Sequence, residues 1–119
     1  MDEIREQKIQ VIQMMADYMA KLIPSMEQVA SEIKGEQQDD TIEFLLQVID
    51  GLNFIIESFN AVEDLLNENG VIIKDDIEQS VSRLSDGFSK KDYLRIANEL
   101  DAVMVPILKT MSEEANRFA

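Results

Sequence analysis

The segment Thr41–Asn67, TIEFLLQVIDGLNFIIESFNAVEDLLN, is apolar around far more than half of a helix circumference, and it constrains the fold more than any other stretch. On a 3.6-residue wheel Ile42, Leu45, Ile49, Leu52, Ile56 and Phe59 step by three and four along one line, widened by Phe44, Val48, Ile55 and Val62. So broad a surface can take two neighbours, which predicts that this helix is the buried middle of a bundle. Gly51 sits inside it at a cost of about 1 kcal/mol relative to alanine, so another helix is expected to approach closely there.

The far edge of the same helix carries Glu43, Asp50, Glu57 and Asp64, seven residues apart, which lines them up in one carboxylate stripe. Phe54 interrupts the stripe, four residues after Asp50 and three before Glu57. These five residues form the candidate interaction surface. A desolvated ring supplies affinity to a partner helix or a second copy, while rim charges steer the encounter. The competing expectation is that helix 1 or helix 4 covers Phe54 within one subunit.

The rest of the chain supplies three further helices. Ile4, Val11, Met15, Tyr18, Leu22, Met26, Val29 and Ile33 keep helical phase behind acids at Asp2, Glu3 and Glu6, which suit a helix start. Pro24 removes one backbone donor, so helix 1 either kinks near Ala20 or ends near Leu22 and restarts with a Ser25–Gln28 capping box. The unbroken phase favours the kink. Met14 and Met19 fall outside the main seam and are expected to be partly exposed. Gly35 closes this helix, and Asp40 with Glu43 forms a capping box for helix 2, which Gly70 terminates. Val71–Ile73 reads as an apolar plug under the bundle. Helix 3 is short, capped by Asp75 with Glu78, striped by Ile77, Val81, Leu84 and Phe88, and stopped by Gly87. Helix 4 follows a Ser89–Asp92 capping box and runs through Tyr93, Ile96, Leu100, Val103, Ile107 and Met111, interrupted by Pro106. The expected fold is all-α, a single-domain up-and-down four-helix bundle over residues 1–119 with kinked first and last helices.

Charge narrows the function. Twenty-four acidic against eleven basic residues give a net charge of −13, and no lysine or arginine occurs from Gly35 to Ile73. Nucleic acid is thereby an unsuited ligand, since its binding draws on cations that neutralise phosphates. The apolar runs fall short of the roughly 18 residues that span a bilayer, so no membrane partner is expected. The N-terminus lacks the basic-then-apolar order of a secretion signal and cysteine is absent, which suits the cytoplasm.

Histidine is absent too, removing histidine-based nucleophilic catalysis and the Glu-x-x-His pairs of di-iron bundles, and leaving zinc without its usual ligands. Carboxylates seven apart rise about 10.5 Å along the axis and cannot share an ion. The Glu-x-x-Glu and Glu-x-x-Asp pairs that hold magnesium in all-helical pyrophosphatases occur only as Glu3 with Glu6 and Glu36 with Asp39, at a frayed end and in a loop. The run LLNENGVIIKDD has Leu65 where a calcium loop needs its first ligand. No catalytic residue, metal or cofactor is assigned. The alternative, a carboxylate-based metal-dependent enzyme or ion-binding bundle, requires acids from another helix to converge on the stripe.

The tail KKDYLRIANELDAVMVPILKTM, Lys90–Met111, resembles a recurring ending of small, acidic, uncharacterised bacterial helical-bundle proteins, which implies a bundle and no known activity. In size and acidity the chain is also similar to bacterial flagellar-type export chaperones, which implies that it holds a partner helix. The function expected is non-enzymatic binding of another protein, as an adaptor or export-chaperone-like bundle, or self-association.

Overall fold

Helical periodicity sustained over long stretches yields long helices. A computed structural model describes residues 3–119, and Asp2, one of the acids assigned to the first helix start, lies outside the described residues. Helix α1 spans Glu3–Lys34, α2 spans Thr41–Leu66 and α3 spans Lys74–Ser89. A fourth rod joins α4, Tyr93–Glu99, through a wider turn at Leu100–Met104 to α5, Val105–Asn116. Thirty-two residues at about 1.5 Å each make α1 about 48 Å long, which accounts for the 51 Å long dimension of the molecule.

The rods run up and down, and their register is fixed by named contacts. Lys8 reaches Asp64 at 2.8 Å and Thr41 donates to Glu32 at 2.8 Å, so α1 and α2 are antiparallel. Gln13 donates to the Phe118 carbonyl at 2.7 Å, while Lys34 meets Asp101 at 2.6 Å, so the fourth rod also runs antiparallel to α1. α3 lies against α4 through Arg83 with Glu99 at 2.8 Å and Asp86 with Arg95. The middle position therefore belongs to α1, packed by α2 on one side and the fourth rod on the other, and not to α2 as its apolar breadth suggests. α2 and α3 stand too far apart for the close backbone approach of α1 and α2, because large side chains such as Ile49, Leu84 and Phe88 face each other between them.

Both prolines are accommodated without ending their helices. α1 continues through Pro24, and no Ser25–Gln28 restart forms. Pro24 and Ala20 are both exposed, so the missing backbone hydrogen bond lies on the outer side of α1, away from the core. Ahead of Pro106 the Val105 N–H donates to Leu100, five residues back, and the widened turn makes room for the ring. Met14 is exposed as expected, whereas Met19 is fully buried and Ile4 lies outside the core.

Several helix ends differ from the sequence reading. Asp40 makes no side-chain cap; instead the buried Thr41 hydroxyl accepts from the Gln38 N–H at 2.7 Å and donates to Glu32. Asp75 caps nothing, since α3 already starts at Lys74 after an extended Ile73. Asp92 is itself the cap of α4, accepting from the Arg95 N–H at 3.2 Å, with Ser89 still inside α3. Gly70 does take a left-handed conformation, φ 69°, but α2 ends at Leu66 with Asn67 as its cap, so Gly70 shapes the connection to α3 and does not terminate the helix. Of the expected plug only Ile72 is buried, clasped by Asn67, whose side chain donates to its carbonyl at 2.8 Å and accepts from its N–H at 3.0 Å.

Gly87 does not stop α3, which runs on to Ser89. Its role is contact: a Cβ there would stand 2.8 Å from Ile96 Cγ1, within the core. Gly87→Ala is therefore expected to destabilise by about 1–3 kcal/mol through overpacking, despite the higher helix propensity of alanine. Urea denaturation checks this, and a gain in stability would show that α4 moves freely away from α3.

Candidate functional site

The outer face of α2 holds the five residues singled out by their spacing. Glu43, Asp50, Phe54, Glu57 and Asp64 are all exposed. At the end of the stripe, Lys8 of α1 brackets Asp64 at 2.8 and 3.0 Å, and this hydrogen bond holds the Asp64 carboxyl below the usual carboxylate range. The side chain that α1 brings to the stripe is thus a base. Among the described residues no group of three or more histidine, cysteine, aspartate or glutamate side chains converges as a metal site would require.

Phe54 is 39 % exposed and stands edge-on to Tyr18 of α1, ring centroids 5.4 Å apart at 74°. Gly51 sets this geometry. A Cβ at Gly51 would come within 2.5 Å of the Tyr18 hydroxyl and 3.0 Å of Leu22, so a larger residue there would push the tyrosine out of its seat against α2. The close approach expected at Gly51 is made by helix α1. Phe54 is consequently backed by the Tyr18 ring and presents its exposed edge, 39 % of its surface, beside Asp50 and Glu57. Tyr18 is missing from the sequence-based surface because it keeps the apolar phase of α1, and phase alone assigns it to the core.

On the other side of the stripe lies a cleft of about 200 Å³ between α2 and α3, walled by Ile49 and Leu52 from one helix and Val81, Leu84 and Phe88 from the other. Ile49 is only half-buried as a result, and Val81 is exposed. Leu46, one turn before Asp50, is exposed as well, at 51 %. The sequence signal for these positions is the surplus of apolar residues on α2 beyond what one seam can cover.

Buried polar groups are satisfied. Among the described residues no buried side-chain nitrogen or oxygen lacks a hydrogen-bond partner. Among the ion-paired side chains of the described residues the most enclosed is Glu99, which accepts from the fully buried Ser80 hydroxyl at 2.7 Å and from Arg83 at 2.8 Å. Burial works to raise its pKa, but the hydrogen bonds from Arg83 and Ser80 and the guanidinium charge outweigh it and hold the carboxyl below its usual range.

No helix among the described residues is long and apolar enough to cross a membrane. Neither the curated proteins nor the solved structures yield a match to the chain. A family model described as a domain of unknown function, DUF8042, matches residues 10–114. That span takes in α2, α3, most of α1 and nearly all of the fourth rod, and the chain belongs to the DUF8042 family.

Proposed function

We propose that this chain is a non-enzymatic cytoplasmic bundle that binds another protein, as an adaptor or an export-chaperone-like holder, through the outer face of α2. The observation that carries the reading is the half-open Phe54–Tyr18 ring pair standing among Asp50 and Glu57 on a helix without a single lysine or arginine. An aromatic anchor with a charged rim is the arrangement in which truncating one side chain removes much of the binding energy. The acidity of the face favours a basic partner over a second copy of this strongly negative chain.

The test pairs two variants. Phe54→Ala is expected to abolish partner capture from the native host while costing the worth of the aromatic pair, about 0.5–1.5 kcal/mol, together with the burial of the covered part of the ring, which stays below the cost of emptying a fully buried site. Glu57→Lys is expected to slow association and to reduce its sensitivity to salt, since a rim charge acts mainly on encounter. Retention of the same partner by Phe54→Ala, at unchanged affinity, would remove the ring from the binding surface. A large fall in melting temperature in a protein that sediments as a monomer would assign Phe54 to the core.

A further inference from the structure

We infer that the cleft between α2 and α3 seats an apolar anchor side chain of a partner helix, and that this partner carries lysine or arginine beside the anchor. The inference rests on the reading of α2 as a protein-binding face and adds the chemistry of the partner and the place where it docks.

Three observations converge. The cleft walls are aliphatic and aromatic, and they stay open because α2 and α3 do not close on each other as α1 and α2 do. Its volume, about 200 Å³, exceeds the roughly 150 Å³ of an engineered apolar cavity that takes up benzene, so one large apolar side chain fits. The rim is of one sign. Leu46, Asp50, Asn53 and Glu57 follow at intervals of three and four along α2, which places Asp50 and Glu57 on the same flank as Asn53 in the cleft wall. Across the gap Glu78 stands three residues before Val81 on α3, also exposed.

No cation lines the cleft. The basic side chains of α3 are occupied elsewhere: Lys74 pairs with Glu63 at 3.2 Å and Arg83 with Glu99. Lys90 and Lys91 lie beyond Phe88 at the end of the helix, Lys90 held by Asp86 at 3.2 Å. An amphipathic helix that lays apolar residues into such a groove meets carboxylates on both sides, so basic flanks are attracted and acidic flanks repelled. A second copy of this chain would bring further carboxylates to the same rim, with a net charge of −13 on each subunit.

The test titrates isotope-labelled full-length protein with three synthetic amphipathic helical peptides, followed by methyl NMR. The first presents leucines on one face with lysines on either flank. The second has glutamate in place of every lysine, and the third alanine in place of every leucine. The expected result is that the first peptide shifts the methyl signals of Ile49, Leu52, Val81 and Leu84 in a saturable manner, and that the other two leave them unmoved at the same concentrations. Val81→Glu, at a position already 37 % exposed and so compatible with folding, is expected to weaken the first peptide by about tenfold or more. Circular dichroism verifies that the variant keeps its helices.

Equal binding of the glutamate or alanine peptide would overturn the inference, as would the absence of saturable shifts with any of the three. Shifts that map to Tyr18 and Phe54, and vanish in Phe54→Ala, would also overturn it while leaving the protein-binding reading of α2 in place. Concentration-dependent dimerisation without peptide, with shifts confined to the cleft, would give the site to a second copy instead.

Discussion

Phe59→Ala is expected to lower the free energy of unfolding by about 3–5 kcal/mol, measured by urea or guanidinium denaturation. Phe59 has no exposed surface and lies on the line of α2 that faces the shared core. Removing the ring forfeits its transfer free energy and leaves a cavity that long, antiparallel helices can only partly collapse. Against a total stability of about 5–15 kcal/mol for a domain, the loss would leave the variant marginal at physiological temperature. Ile49→Ala on the same helix should cost visibly less, because Ile49 is half-buried beside an open cleft. Equal costs for the two would mean that α2 and α3 close on each other in solution, and a cost for Phe59→Ala below about 1 kcal/mol would remove α2 from the core.

The second large effect is at Glu99, where replacement by alanine should cost about 1–3 kcal/mol, the penalty for leaving the buried Ser80 hydroxyl without its partner. Ser80 is fully buried and would lose its acceptor, and Arg83 would lose its counter-charge. The same contacts give a pH signature. The Glu99 carboxyl is held below its usual range in the folded state, so its contribution to stability is present above the unfolded carboxylate pKa and is lost as pH falls through the lower folded value. Unfolding free energy measured across the acid range should therefore decline in the parent chain more than in Glu99→Gln. Parallel pH profiles for the two proteins would show that Glu99 is not held as an ion in the native state.

The four rods and their up-and-down order are legible in the sequence because they depend on periodicity sustained over many turns. The helix ends are less so. Asp40, Asp75 and Ser89 all fit capping patterns, yet the ends are set by what neighbouring helices offer, as when Thr41 turns to Glu32 across the α1–α2 seam. A glycine inside a helical pattern is likewise ambiguous. Gly51 and Gly87 serve close packing, whereas Gly70 serves a positive φ, and only the three-dimensional neighbours distinguish these uses. The stripe on α2 is plain from spacing alone. The cleft beside it is not, because it belongs to two helices whose separation no single wheel reveals.

The widened turn at Leu100–Met104 bears on how this chain can tolerate a change of length. A turn closed five residues back holds one residue more than an α turn. In an ordinary helix, gaining or losing a residue rotates everything beyond it by about 100° and turns the apolar face away from its neighbour. Here the fourth rod already absorbs such a step, and Leu108, Met111 and Ala115 still meet the core. Deleting the exposed Ala102 is therefore expected to turn this segment into a plain α-helix that presents the same sides to α1, so the bundle should keep its fold at one residue less.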